Sequence, residues 1–380
     1  MTCTRPIWAE ISRTRLAANF RTLREAAGSD TELFAVIKAN GYGHSLAICA
    51  EALAAQGARW FGVTGVEEGL QLRAISPQTR ILAMSGLWPG EADALIESNL
   101  TPVVWQPDHL AMLAHAASRR NLAPGSLPVH LEIDTGMSRQ GVHLAGLTAL
   151  LDQLPPALRI EAVMTHFYAP DEPEPTAEQM RLFTLAVDAL VARGMRPSIL
   201  SAGSSADLLD HSTTAITSLA RRVGATRMIR AGLGLYGYGP GAQPTTGLQT
   251  VLAWKTRITG IREIPAGATA GYSATFRAQR PTRLALLPLG YADGFSRLLS
   301  SRGSALVHGQ RAPVAGRISM DQTMLNITGI PQAAPGDEVV LIGEQEGGSI
   351  TAADIAALTG TIPYEVLCAI SARVPRIPVE

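Results

Sequence analysis

A lysine that directly follows a short apolar run is the first residue that could do chemistry. The run Leu33–Ile37 (LFAVI) is too short for a helix and predicts a buried parallel strand, which Lys38 follows. Ligands of α/β folds bind at the carboxyl ends of such strands. A lysine in a low-dielectric pocket there loses its proton readily and can attack a carbonyl, which is Schiff-base chemistry. Because most strand-end lysines are solvated surface groups, Lys38 needs supporting neighbours.

Polar side chains of complementary types follow the later predicted strands in the same way. Serine hydroxyls and glycine amides come after the last two of these strands, and this combination suits a phosphate dianion. Together with a reactive lysine, it suggests an aldehyde-bearing phosphorylated cofactor, for which pyridoxal 5'-phosphate (PLP) is the obvious candidate. The residues at or just beyond the predicted strand ends are Tyr42, Glu132, Asp134, Arg139, His166, Ser201, Ser204, Ser205, Arg230, Gly232 and Leu233.

Eight short apolar runs alternate with helical stretches and predict the elements that hold these residues. Thr176 with Gln179 has the spacing of a capping box and predicts the start of one such helix. The alternation favours a (β/α)₈ barrel. An open doubly wound sheet is the alternative, but no GxGxxG follows the first run. The runs are Leu33–Ile37, Trp60–Val63, Ile81–Met84, Pro102–Trp105, Val129–Ile133, Ile160–Thr165, Ser198–Leu200 and Met228–Ala231.

A change of texture near residue 238 predicts a second domain. The stretch 239–247 (GPGAQPTTG) is rich in Gly and Pro and is typical of a hinge. Short strand-like runs broken by Gly and Pro follow it. We therefore expect a barrel over residues 11–237 and a mainly β domain over residues 238–380. The predicted strands of that domain are Trp254–Ile261, Leu284–Pro288, Ala305–His308, Met324–Ile327 and Val339–Ile342.

Composition narrows the class of partner. The 380 residues carry 32 basic and 32 acidic side chains, which does not favour nucleic acid or an anionic membrane and leaves a small molecule as the expected partner. Three scattered cysteines, Cys3, Cys49 and Cys368, argue against a disulfide framework or a zinc site. The first residues have no apolar signal core, and no segment is long enough to span a bilayer. The cytoplasm is the expected location.

Seven motifs spread from position 35 to 376 resemble, in this order, bacterial alanine racemases over nearly the whole chain. Each motif is moderately specific, whereas the ordered set is very specific. The resemblance implies an enzyme that interconverts L- and D-alanine and supplies D-alanine for peptidoglycan. It also implies a head-to-tail homodimer with shared active sites, in which the amino-terminal strand (residues 1–10) joins the β domain. The motifs are AVIKANGYGHS, HLEIDTGMSRQGV, MTHF, RAGLGLYG, LPLGYADG, GRISMDQ and IPYEVLCAISARVPR.

The resemblance implies two bases, because racemisation removes a proton from one face of a planar carbanion and returns one to the other. Lys38 would bind the cofactor and serve the D face, and Tyr272 (in AGYSAT) would reach in from the other subunit. A tyrosine is a poor base unless its anion is stabilised, and the family arrangement gives this task to His166. Arg230 would hydrogen-bond His166 and face the pyridine nitrogen. Since a guanidinium stays protonated, it weakens the electron sink and suppresses side reactions.

The remaining contacts also come from the resemblance. Arg139 would hydrogen-bond the phenolic oxygen of the cofactor and contact the substrate. Tyr291, together with Met320 and Asp321 of the partner subunit, would line the substrate side. The implied cofactor contacts, besides Lys38 and Arg139, are Tyr42, Glu132, His166, Ser204, Ser205, Arg230, Gly232, Leu233 and Tyr364.

Three departures from the family pattern stand out. Glu132 occupies a position where many members carry a lysine that carbon dioxide converts to a carbamate, whose anion positions Arg139. We predict that Glu132 does this job unmodified, although its side chain is shorter by three atoms, and an ordinary strand-end acid is the alternative. Ser201 and Ser204 replace the His and Asn of the usual HxxNS stretch. Ser319 replaces the cysteine often found before Met-Asp.

Other readings remain open. The same mechanism could act on serine or on a broader range of amino acids, although the tyrosines 272, 291 and 364 favour a small side chain. A non-catalytic PLP carrier would lack the second domain, and a related decarboxylase would pair the pyridine nitrogen with a carboxylate rather than with Arg230. Single residues have structural alternatives too. Ser204 and Ser205 could cap a helix, Met320 could fill space, and Asp321 could serve a turn.

Overall fold

The computed structural model describes residues 5–209, 214–239, 241, 243–245 and 247–380. Cys3 and parts of the predicted hinge at 239–247 lie outside these ranges. The chain folds into two compact units. One unit, called the barrel unit below, falls within Ala17–Gly41 and Cys49–Gly241; the other, the β unit, falls within Met1–Leu16, Tyr42–Ile48 and Ala242–Glu380.

The barrel unit is built on eight parallel strands, each buried along most of its length, that close into a barrel. Thr101–Val104 pairs with both Arg80–Ala83 and Leu127–Asp134, which closes the ring. The (β/α)₈ prediction is therefore confirmed. In chain order the strands are Thr31–Val36, Trp60–Val63, Arg80–Ala83, Thr101–Val104, Leu127–Asp134, Leu158–Met164, Ile199–Ser204 and Thr226–Ala231.

Seven of the predicted runs match their strands to within two residues at either end. The run Ser198–Leu200 is too short, since the strand continues to Ser204, which pairs with Arg230 across an irregularity in the ladder. Hydrophobic periodicity misses this extension because its residues (SAGS) are small and include no large apolar side chain, although they are largely buried. The extension brings serine hydroxyls to the carboxyl end of the barrel.

The predicted capping box at Thr176 is wrong. The helix begins three residues earlier, at Pro173, because proline at the first helical position fixes φ and needs no hydrogen-bond acceptor. Gln179 instead donates its amide to Thr135 Oγ1 (2.9 Å) and to the carbonyl of His166 (3.1 Å). The helices of the chain are Arg13–Ala27, Leu46–Ala55, Val66–Ile75, Ala92–Glu97, Pro107–Arg119, Leu144–Leu151, Pro173–Ala192, Ser205–Leu209, Thr214–Val223, Ala352–Thr359 and Pro363–Ala369.

A buried polar cluster lies towards the amino-terminal end of the barrel. Arg80 donates two hydrogen bonds to Glu161 (3.0 and 2.6 Å), and its guanidinium carbon lies 3.9 Å from the centre of the Trp60 ring. Such contacts at the amino-terminal face serve stability, whereas chemistry belongs to the opposite, carboxyl-terminal face.

The β unit has a main sheet of seven strands. The amino-terminal strand Ile7–Ser12 lies between Leu252–Arg257 and Arg376–Val379 in this sheet. The predicted single strand Trp254–Ile261 is wrong, because the chain breaks at 258–259 and continues as Gly260–Ile264 in a different sheet. The other strands of the main sheet are Ser304–Val307, Gln310–Pro313, Glu338–Gln345 and Gly348–Ile350; the smaller sheets comprise Gly260–Ile264, Thr282–Leu287 and Thr323–Asn326, and Thr269–Ala270 with Phe276–Arg277. Among the described residues, no helix is long and apolar enough to cross a membrane.

Candidate active site

Lys38 lies half-buried at the end of the first barrel strand and opens a left-handed turn. Ala39 and Asn40 have φ of 53° and 54°, a conformation that costs a non-glycine residue about 1–2 kcal/mol. Glu68 holds this turn, because its carboxylate accepts the backbone N–H of Asn40 (3.1 Å) and of Thr64 (2.9 Å). The turn is therefore a strained backbone that its surroundings fix, as is common at functional sites.

Arg230 lies at the carboxyl end of the eighth barrel strand and is 7% exposed. Its Nη1 donates to the Ser201 hydroxyl (2.8 Å) and carbonyl (3.1 Å), and its Nη2 donates to the Thr165 carbonyl (2.7 Å) and to His166 Nδ1 (3.1 Å). Within the described residues, Nε of Arg230 donates no hydrogen bond. Ser201, one of the departures from the family pattern, is thus a direct partner of Arg230.

The proton on His166 follows from this geometry. Burial, together with the positive charges of Arg230, Arg139 and Lys38, lowers the pKa of His166 to about 3, so the imidazole is neutral near pH 7. Because Arg230 donates to Nδ1, that nitrogen carries the lone pair and Nε2 carries the hydrogen. His166 can therefore donate one hydrogen bond from Nε2 while Arg230 holds its ring.

Glu132 is 3% exposed and lies on the fifth barrel strand. Burial raises the pKa of Glu132, while the charges of Arg230 and Arg139 and a hydrogen bond from Gln140 oppose this rise. Arg139 and His166 line the same narrow crevice as Glu132. The barrel unit thus brings the predicted residues Glu132, Arg139 and His166 together.

The ends of the seventh and eighth strands form a close-packed cradle. Ser205 Oγ accepts the backbone N–H of Gly234 (3.2 Å). A Cβ at residue 234 would lie 2.7 Å from Cβ of Ser205, so only glycine fits there. Ser204 donates its hydroxyl to Asp207 (2.8 Å) and caps the following helix, which is the structural alternative considered for this residue. Gly232 precedes the 3₁₀-helix Leu233–Tyr236 at the same end.

In the β unit, Tyr42 and Tyr364 pack against each other, with ring centres 5.8 Å apart. Burial raises the pKa of both phenols, which therefore stay protonated near neutral pH and can donate hydrogen bonds to an anion. In the barrel unit, the serine–glycine cradle offers hydrogen-bond donors that fit the phosphate of PLP, and Nε of Arg230 fits its ring nitrogen.

Tyr272 lies in the β unit and is 69% exposed. It lines a cavity of about 590 Å³ with Arg5, Met320, Asp321 and Arg373. The predicted substrate-side residues Tyr272, Met320 and Asp321 thus line one cavity, whereas Tyr291 is not among its lining residues and instead donates its backbone N–H to the Ser319 carbonyl (3.0 Å).

An ionic chain holds this cavity wall, and sequence reasoning missed it. Arg373 donates to Asp321 (2.6 Å) and lies 3.5 Å from the buried carboxylate of Asp293, which also binds Arg5. Asp293 in turn accepts the backbone N–H of Gly290 (3.1 Å), and the same turn binds the backbone of Ser319 and Met320. Asp293 and Arg373 lie in the motifs LPLGYADG and SARVPR. These polar residues could have been predicted as candidate site residues from the motifs alone.

A closed parallel barrel with a lysine after its first strand, a buried arginine and serines after its last strands, and a separate β unit, is the architecture of a barrel-type amino-acid racemase. The family model for the alanine racemase N-terminal domain matches residues 11–240, and the model for the alanine racemase C-terminal domain matches residues 251–378. The chain belongs to the alanine racemase family, whose members are PLP-dependent isomerases.

Relatives that match nearly the whole chain support its membership of this family. The alanine racemase of Halothermothrix orenii is 37% identical over 98% of this chain and 97% of the relative, and that of Symbiobacterium thermophilum is 38% identical over 98% and 97%. Among solved structures, the alanine racemase of Streptomyces coelicolor A3(2) is 33% identical with a TM-score of 0.90, covering 100% of this chain and 99% of that one. The alanine racemase of Bartonella henselae, solved with covalently bound pyridoxal phosphate, is 27% identical with a TM-score of 0.83, covering 98% and 99%.

Proposed function

We propose that this chain racemises alanine with PLP as cofactor and with two bases, Lys38 and Tyr272 of the partner subunit, and so supplies D-alanine for peptidoglycan. The observation that carries the proposal is the fixed Arg230: four hydrogen bonds hold its terminal nitrogens and leave Nε without a partner among the described residues. When bound, PLP supplies an electron sink that acidifies the α-carbon of an amino acid.

Arg230 sets the reaction type. Its Nε offers a hydrogen bond to the pyridine nitrogen, but a guanidinium does not readily give up a proton. Arg230 would therefore hold the pyridine nitrogen by a hydrogen bond without protonating it, which would weaken the electron sink and favour return of the proton to the α-carbon. A carboxylate at this place, as in the decarboxylase alternative, would have the opposite effect.

Lys38 would hold the cofactor through its side-chain amine and would move a proton on the D face. The phenol of Tyr272 moves a proton on the opposite face. His166 serves that phenol, because its neutral ring, with hydrogen on Nε2, can stabilise a phenolate by hydrogen bonding. Arg139 orients the phenolic oxygen of the cofactor and the substrate carboxylate, and Glu132 balances the charge of Arg139.

The remaining predicted residues position the cofactor and the substrate. Tyr42, Ser205, Gly232 and Tyr364 bind the phosphate, with Ser204 and Leu233 beside them. Tyr291, with Met320 and Asp321 of the partner subunit, bounds the space for the substrate side chain. We propose a homodimer with shared sites, in which residues 11–237 form the cofactor domain and residues 238–380, joined by strand 1–10, form the β domain. The cytoplasmic location stays a prediction from the sequence.

The experiment is racemisation of L-alanine by the purified, PLP-loaded protein, followed by circular dichroism in both directions. Tyr272→Phe should reduce the rate by at least about 10²-fold while the visible absorbance of the cofactor remains. A fully active variant would show that Tyr272 is not the second base.

Substrate breadth is tested in the same assay with L-serine and L-lysine. We expect alanine to be fastest, because the tyrosines 272, 291 and 364 favour a small side chain. A serine or lysine rate equal to that of alanine would favour the broader-specificity alternative.

A further inference from the structure

A tight loop returns alongside the end of the fifth barrel strand. Asp134 Oδ1 accepts the backbone N–H of Gly136 (2.9 Å) and of Ser138 (3.1 Å), and the short strand Val142–His143 then pairs in parallel with Ile133 and Asp134. Gly141 touches the backbone of that strand, since a Cβ there would lie 2.5 Å from the Asp134 nitrogen. The residues just before Gly141 are consequently held beside the strand end.

Gln140 uses this placement to bridge two elements. Its Nε2 donates to Glu132 Oε2 (2.5 Å) and to the backbone carbonyl of Met84 (3.2 Å), which follows the third barrel strand. In the described part of the chain, Gln140 is the only group that donates a hydrogen bond to the Glu132 carboxylate. The amide therefore fixes the direction in which the Glu132 carboxylate points.

The charge state of Glu132 depends on opposing influences. Burial raises its pKa, because the charged form loses hydration, and Asp134 adds to this rise; Arg230, the Gln140 hydrogen bond and Arg139 lower the pKa. His166 lines the same narrow crevice as Glu132 and is neutral near pH 7. The Gln140 amide is an uncharged group that lowers this pKa, and it does not touch the cofactor or substrate in the proposed arrangement.

We propose that Gln140 is a positioning residue, which orients the Glu132 carboxylate beside Arg139 so that Glu132 serves as the anion there. This inference rests on the proposed function for its kinetic consequence. The Glu132 side chain is shorter by three atoms than a carbamylated lysine, so its carboxylate stays close to the strand, where the Gln140 amide meets it. The Met84 carbonyl, by accepting from the same Nε2, anchors that tether to the barrel.

The test is Gln140→Leu, which removes the donor and keeps a similar volume, with Gln140→Met as a second variant of unbranched shape. Gln153→Leu is the matched control, because Gln153 is exposed and its side-chain amide donates to the Ala149 carbonyl of the preceding helix. Isotope-edited infrared titration of the Glu132 carboxyl, assigned with Glu132→Gln, is made on folded protein without cofactor. The acid limb of kcat/KM is measured on the PLP-loaded enzyme.

We expect both Gln140 variants to raise the pKa of Glu132 by about one unit or more and to move the acid limb to higher pH by a similar amount. The KM for alanine should rise more than kcat falls, since Arg139 contacts the substrate. Gln153→Leu should behave like the parent. An unchanged Glu132 titration in a folded Gln140 variant would overturn the inference. Absence of racemisation in the parent would refute the proposed function alone, because the infrared result does not depend on it.

Discussion

The two groups of predicted site residues differ sharply in how they are held. In the barrel unit, Arg230 and Glu132 are 7% and 3% exposed, and hydrogen bonds link them to their neighbours. In the β unit, Tyr272 and Met320 are 69% and 54% exposed and line an open cavity. The barrel groups are preorganised by contacts within one chain, whereas Tyr272 and Met320 lie on an exposed surface. This difference is the physical basis for proposing shared sites.

The largest effect should come from variants that each remove one of the two proposed bases. Lys38→Ala and Tyr272→Phe should each lower alanine racemisation by at least about 10²–10³-fold. If one barrel works with the tyrosine of its partner, co-expression of the two variants yields mixed dimers with one intact site. Since half of the dimers are mixed and each has one of two sites, about a quarter of the parent activity should return.

The control is to mix the two variants after each has been purified as a dimer that does not exchange subunits. That mixture should stay inactive. Lack of recovery on co-expression, with mixed dimers proven by two affinity tags, would contradict sharing between subunits.

A smaller effect should follow loss of the ionic chain in the β unit. Arg373→Ala frees Asp321 from its 2.6 Å contact and should lower kcat/KM by about 10-fold, mainly through KM, because an exposed charge pair orients rather than reacts. Arg373→Lys should recover part of the loss. Arg302→Ala, at an exposed arginine, is the matched control. An unchanged KM in Arg373→Ala would show that this wall does not position the substrate.

His166 should leave a modest signature in stability. Its pKa falls from an ordinary value near 6.5 to about 3 on folding, so the unfolded chain binds more protons between these values. The stability due to the neutral ring is complete above about pH 6.5 and is lost as pH falls towards 3. His166→Asn should therefore show a shallower loss of the urea midpoint between about pH 7 and 4. A slope equal to that of the parent would contradict the lowered pKa.

Removal of carbon dioxide from the buffer should have no effect on activity. If Glu132 replaces a carbamate without modification, activity in carbon-dioxide-free buffer should equal activity in ordinary buffer, and bicarbonate should not increase it. Loss of activity that bicarbonate restores would count against this role.

The sequence allowed most of the barrel to be predicted because strand position is a local property. A short apolar run between polar stretches is typical of a buried strand. The bounds of Trp60–Val63 were therefore predicted without error, and those of six other strands to within two residues. Where burial involved small residues, as in Ser201–Ser204, or where a strand left its sheet, as after Arg257, the local pattern gave no warning. The helix start at Pro173 was missed because the capping-box spacing of Thr176 and Gln179 competed with the proline as a local signal for the first turn.

The sequence by itself determined which residue types were present for chemistry: a strand-end lysine, an arginine, serines and tyrosines in an ordered set of motifs. The tertiary structure decided which of them touch. Gln140 meets Glu132 and the distant Met84 carbonyl, and Arg373 meets Asp321 and Asp293 across 52 and 80 positions of the chain. Hydrogen bonds and ion pairs act over a few ångströms, so only folding, which brings remote segments to that distance, could select these partners.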